Sequence, residues 1–111
     1  MARSSGSDLE LLLLALLTEP AHGYALVEAL KDRSGGAIEV PEGSVYPALY
    51  RLERSGFVSS ADVEVQNRRR RVYRLTAKGR AERLARIGAW ERETATIRQM
   101  LGGGPLGAET R

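Results

Sequence analysis

One short stretch, Pro41 to Gly56, combines residues that can pack in a core with residues that can bind a partner. Its apolar residues recur at i, i+3, i+4 and i+7, so at helical spacing they form one stripe that can be buried. The opposite face is rich in hydroxyl and guanidinium groups, which can donate hydrogen bonds to phosphates or base edges. The outward residues are Ser44, Tyr46, Pro47, Tyr50, Arg51 and Arg54. We therefore expect this helix to contact nucleic acid.

A second set of donors follows in a strongly basic segment. From Arg68 to Arg83 there are eight basic residues and one acidic residue, although the whole chain has a formal net charge of only +3. Residues 57–65 and 72–75 have the composition of two strands, with Gln66 to Arg71 as the predicted connection. Four consecutive arginines are more often a solvated patch, but at a hairpin tip they favour contact with phosphates or a minor groove.

Several classes of function are disfavoured by composition. The chain has no cysteine and one histidine, so we predict no disulfide and no metal site, and we expect His22 to be a turn residue that bonds the backbone. No catalytic set can be assembled from one histidine and scattered acids, so we predict neither catalysis nor a cofactor. The apolar run Leu9–Leu17 is too short to span a membrane, and we expect a soluble, cytoplasmic protein.

The elements that must position these side chains can be read from caps and periodicity. A first helix capped by Ser7 or Asp8 is predicted to run to about Thr18, and a second from Gly23 to Arg33. Residues 37–40 are predicted to be a short extended piece. The third helix is predicted to start near Gly43, with Ser44 as an alternative cap and a stop at Gly56.

The last helix is predicted from Ala77 to about Leu101, with Thr76 as its cap. It has two apolar stripes. The first is predicted to pack on the hairpin and the first helix, and consists of Ala77, Ala81, Leu84 and Ala85. The second has the spacing of a helix-pair seam, and consists of Ile87, Trp90, Thr94, Ile97 and Leu101. A helix this long extends roughly 37 Å, beyond what so small a domain can cover, so its second half is expected to meet another chain.

These elements predict an α+β fold, mainly α: a winged helix-turn-helix with a long C-terminal dimerisation helix. We expect residues 1–6 to be a disordered N-terminus and residues 7–76 to be the DNA-binding domain. Residues 77–101 would be the dimerisation helix and residues 102–111 a flexible tail.

Three blocks of sequence resemble the PadR-like transcriptional regulators, in register from about Leu9 to Gly79. They are the runs LLLLALLTEPAHGYAL, GSVYPALYRLERSGFV and RRRRVYRLTAKG. The short remainder after Gly79 resembles the branch of that family in which a single C-terminal helix makes the homodimer. The resemblance implies a ligand-responsive regulator, usually a repressor, that binds an inverted repeat in double-stranded DNA. Pro41 and Glu42 depart from the Ser-Pro of many relatives.

The resemblance also implies roles for individual residues. Ser44, Tyr46 and Pro47 would lie at the DNA end of the recognition helix, with Tyr46 bonded to a phosphate, and Tyr50, Arg51 and Arg54 would follow along that helix. Tyr24 would lie against the DNA backbone. The wing would consist of Asn67, Arg68, Arg69, Arg70 and Arg71.

In some short members of the family an aromatic residue at the position of Trp90 flanks a pore between subunits and stacks flat lipophilic or cationic compounds. A small aromatic or cationic effector would then contact Leu12, Leu16, Ile87, Trp90 and Thr94. The dimer interface would comprise Leu9, Leu13, Ile87, Trp90, Thr94, Ile97 and Leu101. The alternative for Trp90 is an interface anchor with no ligand, which is the commoner role of such a tryptophan.

A second function from a different class remains open from the sequence. The same fold could serve as a protein-interaction adaptor that uses the last helix and the basic wing to hold an acidic protein partner. RNA binding is disfavoured because no aromatic platform for splayed bases is evident. A two-fold-symmetric footprint on double-stranded DNA would select the regulator.

Overall fold

The computed structural model describes residues 5–107, with side chains from Asp8 onward. The predicted fold class is confirmed: four helices and a small antiparallel sheet. The elements are α1 Ser5–Leu16, β1 Ala21–His22, α2 Gly23–Arg33, α3 Glu42–Arg54, β2 Val58–Val65, β3 Arg68–Leu75 and α4 Ala77–Leu101. The sheet order is β1-β3-β2.

The helix boundaries follow local chemistry. The prediction for α2 is confirmed, and that for α4 is confirmed with its cap, because the Thr76 hydroxyl accepts a hydrogen bond from the Gly79 N–H at 2.9 Å. Helix α3 ends at the predicted glycine: Gly56 has a φ of 83°, and the Phe57 N–H bonds the Leu52 carbonyl at 3.0 Å. This is a Schellman ending, which requires a left-handed residue at that position.

Two local predictions were wrong. Helix α1 begins at Ser5 and so includes two residues of the predicted disordered N-terminus, of which residues 1–4 lie outside the described residues. Ser44 does not cap α3: its N–H bonds the carbonyl of Pro41, which occupies the cap position without a side-chain bond. Residues 37–40 lead into α3 without helix or strand, and the third strand of the sheet is β1, which was not predicted and which pairs with Val72 and Tyr73.

The hairpin between β2 and β3 also differs from the prediction. Its turn contains only Gln66 and Asn67, both with left-handed φ values of 53° and 64°. Two such residues form the tight turn that matches the twist of paired strands. The four arginines therefore belong to strand β3 rather than to the connection, and they alternate between its two faces.

The core is formed by the inner sides of three helices and the base of the hairpin. It contains leucines of α1, the buried stripe of α3 and one residue from each long strand. Its most enclosed members are Leu13, Leu14, Leu17, Leu26, Leu49, Leu52, Val45 and Val58. Residues 5–107 contain no helix that is both long and apolar enough to cross a membrane.

Candidate nucleic-acid interface

The two faces of α3 are divided as the sequence predicts. Val45, Ala48, Leu49 and Leu52 are buried. All six outward residues are exposed, namely Ser44, Tyr46, Pro47, Tyr50, Arg51 and Arg54. Folding therefore leaves the hydroxyl and guanidinium groups of this helix accessible to a partner.

Tyr46 lies in a cleft shared by three elements. The cleft has a volume of about 220 Å³ and is lined by His22, Gly23, Tyr24, Tyr46, Arg69, Arg70 and Arg71. It thus brings together the first turn of α2, the exposed face of α3 and the arginines of β3. Two phenols and three guanidiniums around one concave surface form a set of donors suited to a phosphate backbone.

Gly23 makes this cleft possible, through a tertiary contact with Tyr46 that could not be predicted from the order of the residues. A Cβ atom at Gly23 would lie 2.4 Å from Cε1 of Tyr46 and 2.7 Å from its hydroxyl oxygen. The tyrosine ring therefore rests on the bare backbone of α2. Only glycine leaves room for the ring in this position, because real Cβ contacts are much longer.

His22 fixes the start of α2 against the sheet. Its Nδ1 accepts a hydrogen bond from the Ala25 N–H at 3.2 Å, which confirms the predicted bond to the backbone, although His22 lies in strand β1 rather than in a turn. His22 also pairs with Val72 of β3 through the short strand β1. Tyr24, exposed in the first turn of α2, is consequently held at the side of the wing.

The wing arginines differ in their partners. Arg71 donates to the Ser60 hydroxyl at 2.6 Å and lies 3.6 Å from the Asp62 carboxylate, so part of its charge is compensated. No acidic side chain within residues 5–107 forms an ion pair with Arg68, Arg69 or Arg70. These three charges, together with Asn67 in the turn, are available to an external anion.

The two arginines of α3 are engaged within the protein. Arg54 lies over the Tyr50 ring, 5.8 Å from its centroid, and its Nη1 donates to the Tyr50 hydroxyl at 3.4 Å. Arg51 donates from Nε to the Glu10 carboxylate of α1 at 2.8 Å. Glu10 is a site residue that the sequence did not reveal, because the two residues are adjacent only after α1 and α3 have packed.

Two tyrosines of this region, Tyr46 and Tyr73, have raised pKa values and are therefore neutral phenols at pH 7. Burial, and to a smaller extent the nearby Glu42 carboxylate, raises the pKa of Tyr46 above its usual value. Burial also raises the pKa of Tyr73. Arg71 lowers this pKa, whereas Glu53 and Tyr46 raise it, and the net shift is upward. The neutral phenol of Tyr46 can therefore donate a hydrogen bond to an anionic oxygen.

A second concave surface lies between α1 and α4. This groove, of about 360 Å³, is lined by Asp8, Leu11, Leu12, Trp90, Glu93, Thr94 and Ile97. Of the residues predicted to bind an effector, Leu12, Trp90 and Thr94 meet there, whereas Leu16 and Ile87 do not line the groove. Trp90 remains 47% exposed.

The predicted dimer residues separate into two groups. Trp90, Ile97 and Leu101 are exposed on α4, and Ile87 and Thr94 are half-buried. Leu9 and Leu13 instead belong to the core, and Leu13 has no exposed surface. The assignment of Leu13 to a partner-contacting surface is therefore wrong, because its whole side chain is enclosed within its own chain.

The first apolar stripe of α4 does not pack on the hairpin or α1 as predicted. Ala77, Ala81 and Ala85 are exposed, and Leu84 is 68% exposed. The helix instead turns Gly79, Arg83 and Arg86 toward the body. A Cβ atom at Gly79 would lie 1.8 Å from the Phe57 carbonyl oxygen, so the close approach of backbones at this glycine sets the rotation of α4.

Comparison with known proteins agrees with this geometry. Residues 12–85 match the model of the transcriptional regulator PadR-like family. The transcriptional regulator Rv3488 of Mycobacterium tuberculosis is 45% identical over 60 residues, which cover 54% of this chain and 53% of that protein. The chain thus aligns with about half the length of that relative.

Several solved structures share the fold. A PadR family transcriptional regulator from Eggerthella lenta has a TM-score of 0.77 and 30% identity, with 88% of this chain and 85% of that chain covered. The protein smu.1704 from Streptococcus mutans has a TM-score of 0.80 and 28% identity, with coverage of 92% and 93%. Bacillus subtilis PadR, solved in complex with operator DNA, has a TM-score of 0.66 and 23% identity, with coverage of 72% and 46%.

Proposed function

Because the chain belongs to the PadR-like family of transcriptional regulators, we propose that it is a repressor that binds an inverted-repeat operator as a homodimer and is released by a small effector. Its relatives are regulators, and the chain is a regulator rather than an enzyme. The observation that carries the proposal is the cleft in which Tyr24, Tyr46 and the arginines of β3 adjoin the exposed face of α3.

In this proposal α3 enters the major groove and the hairpin lies along the neighbouring phosphates. Ser44, Pro47, Tyr50 and Arg51 face the bases, whereas Tyr24 and Tyr46 bond the backbone. Arg68 to Arg70 are suited to phosphates because no acid of residues 5–107 pairs with them. Bacillus subtilis PadR, which shares this fold, was solved in complex with operator DNA, and this supports DNA as the partner.

The proposed homodimer is supported by the exposed apolar residues of α4. Helix α4 has 25 residues; its first half contacts the body through Gly79, Arg83 and Arg86, and its second half borders α1 at the groove that contains Trp90. The second half exposes the apolar side chains of Trp90, Ile97, Met100 and Leu101, whose removal from water would favour association. Association of two α4 helices, with α1 beside them, would cover this surface and place two copies of α3 on one side of a duplex.

The effector site proposed here is the groove that contains Trp90. The apolar walls of this groove are formed by Leu11, Leu12 and Ile97. The groove is also lined by two acidic residues, Asp8 and Glu93. Such a lining is suited to a flat aromatic cation, which an indole can stack and a carboxylate can attract. Titration of the protein with aromatic cations should quench Trp90 fluorescence and, at the same concentrations, weaken DNA binding.

The test of DNA binding begins with a footprint on the region upstream of the protein's own gene. A footprint with two-fold symmetry supports the proposal. Binding to a protein partner without any protected duplex contradicts it. Sedimentation of the free protein at the concentration of the footprint should give the mass of two chains, and a monomer there would contradict the homodimer.

Variants then separate phosphate contacts from base contacts. We expect Arg69→Ala to weaken binding to every duplex and to reduce the salt dependence, because a phosphate contact carries no sequence information. We expect Ser44→Ala to change the preference among duplexes instead. Arg33→Ala, an exposed arginine at the far end of α2, removes the same charge and should change neither. The reverse pattern would refute the assignment of the two faces.

A further inference from the structure

The Glu10 carboxylate joins two arginines that belong to different helices. Its Oε2 accepts a hydrogen bond from Arg51 Nε of α3 at 2.8 Å, and its Oε1 accepts one from Arg86 Nη1 of α4 at 3.3 Å. Arg86 also donates from Nε to Glu82 at 2.7 Å. Helices α1, α3 and α4 therefore meet at one carboxylate.

The bond to Nε leaves the outer end of the Arg51 guanidinium unused. A guanidinium carries five N–H donors in one plane, and the Nε–H is a single one of them. Bidentate recognition of guanine needs two parallel donors, which the two Nη atoms can supply. Arg51 is 49% exposed, so an external base can still reach it. The pairing with Glu10 is consequently compatible with base contact and reduces the freedom of the arginine.

Glu10 is itself held from the other side. Its side chain is 18% exposed, and Arg86 occupies its second oxygen. Arg86 in turn lies over the Phe57 ring, 5.6 Å from the centroid. Burial would lower the pKa of Arg86, but its hydrogen bonds to Glu82 and Glu10 outweigh burial and raise it. The carboxylate that orients Arg51 thus has little freedom of its own.

We propose that Glu10 is a positioning residue for base recognition, which fixes the guanidinium of Arg51 on the DNA-facing side of α3 and is itself fixed by Arg86 of α4. This inference rests on the proposed function, since it assumes that α3 reads DNA. A flexible arginine loses rotamer freedom when it binds, and an arginine that is already oriented loses less. The advantage appears only with the correct base, so Glu10 should increase specificity rather than affinity for all duplexes.

A simpler role for Glu10 makes a different prediction. If the carboxylate only neutralises Arg51, its removal should tighten binding to every duplex by the same factor, as the loss of any negative charge near phosphates would. If the pair only stabilises the fold, its removal should leave the ratio of specific to non-specific affinity unchanged. The ratio therefore distinguishes positioning from both alternatives.

The experiment compares Glu10→Gln with Glu82→Gln in the full chain. Each variant removes one negative charge beside Arg86, but only Glu10→Gln frees Arg51, so Glu82→Gln is the matched control. Fluorescence anisotropy measures the dissociation constants for the footprinted duplex and for a scrambled duplex of equal length, at several salt concentrations. An arginine–guanine contact gives on the order of 10- to 100-fold discrimination. We expect Glu10→Gln to lower the ratio about 3- to 10-fold, as a fraction of that contact, and Glu82→Gln to leave it unchanged.

Two further variants test whether Glu10 acts through Arg51 and how much Arg86 contributes. In an Arg51→Ala background, Glu10→Gln should cause no additional loss of the ratio, because there is no guanidinium left to orient. Arg86→Met should lower the ratio less than Glu10→Gln, because Glu10 keeps its bond to Arg51. Thermal denaturation followed by circular dichroism confirms that each variant is folded at the assay temperature.

The outcomes separate this inference from the proposed function. Equal ratios for Glu10→Gln and Glu82→Gln, or an equal tightening on both duplexes, overturn the role of Glu10 and leave the repressor proposal intact. An undiminished ratio in Arg51→Ala overturns it as well. A wild-type protein that does not distinguish the footprinted duplex from the scrambled one refutes the proposed function itself, and with it any role in base recognition.

Discussion

Replacement of Gly23 by alanine tests whether the position of Tyr46 matters for DNA binding. The new Cβ would lie 2.4 Å from Tyr46 Cε1, whereas carbon atoms prefer separations of about 3.5–4.0 Å. The ring must therefore move by about 1 Å or more. A shift of this size would break a hydrogen bond between the tyrosine hydroxyl and a phosphate. The fold should tolerate it, because the displaced atoms are the outer end of a half-exposed side chain.

The magnitude follows from the contact that is lost. A hydrogen bond to a charged group contributes about 1.5–3 kcal/mol, so we expect at least a tenfold loss of affinity for each displaced Tyr46. The free energy of unfolding should change by less than about 1 kcal/mol, since alanine is the better helix former. Anisotropy with the footprinted duplex measures the first quantity, and chemical denaturation measures the second.

A double-mutant cycle identifies the cause. Tyr46→Phe removes the hydroxyl without moving the ring and should lose a similar affinity. In a Tyr46→Ala background, Gly23→Ala should have no further effect, because its Cβ then meets no ring. If Gly23→Ala binds DNA as tightly as the wild type, or loses as much affinity without the tyrosine, the proposed phosphate contact of Tyr46 is wrong.

Two further predictions concern stability. Gly79→Ala should destabilise the fold by about 1–3 kcal/mol in chemical denaturation, because its Cβ would overlap the Phe57 carbonyl. Gly88→Ala in the same helix is the control: its Cβ meets only the end of a flexible side chain at 3.4 Å, so it should stabilise the fold by up to about 1 kcal/mol. Equal effects of the two substitutions would contradict the close approach at Gly79. In thermal unfolding between about pH 8 and pH 11, stability should fall as the pH rises above the ordinary tyrosine pKa of about 10, because the folded state holds the Tyr73 proton more tightly than the unfolded state does. The stability of Tyr73→Phe should fall less steeply with pH. An identical slope for this variant and the wild type would exclude Tyr73 as a cause.

Much of the fold was predictable because its signals are local. The cap at Thr76, the stop at Gly56 and the apolar stripe of α3 each depend on residues within a few positions of one another. The exposed face of α3 follows from the same periodicity. The hairpin strands were identified, but the length of the turn was not, because Gln66 and Asn67 adopt left-handed conformations without a glycine.

The features that were missed depend on tertiary contacts. Strand β1 has two residues, too few for any periodic signal, and exists because β3 offers a free edge. Gly23 is informative only once the Tyr46 ring lies on it, and Glu10 only once α1 meets α3 and α4. The rotation of α4 was misjudged because the contact at Gly79 turns the apolar stripe with Leu84 toward solvent.

The tight turn at Gln66 and Asn67 constrains how this wing can vary. Strand residues alternate in direction, so Arg69 and Arg71 share the side of Tyr73 while Arg68 and Arg70 take the other. One extra uncharged residue between Arg71 and Tyr73 would exchange the two pairs without altering the number of basic residues or the net charge. An insertion or deletion in this part of β3 would therefore keep each arginine on its own face only if it changed the length by two residues. A count of basic residues in related sequences would not detect the difference.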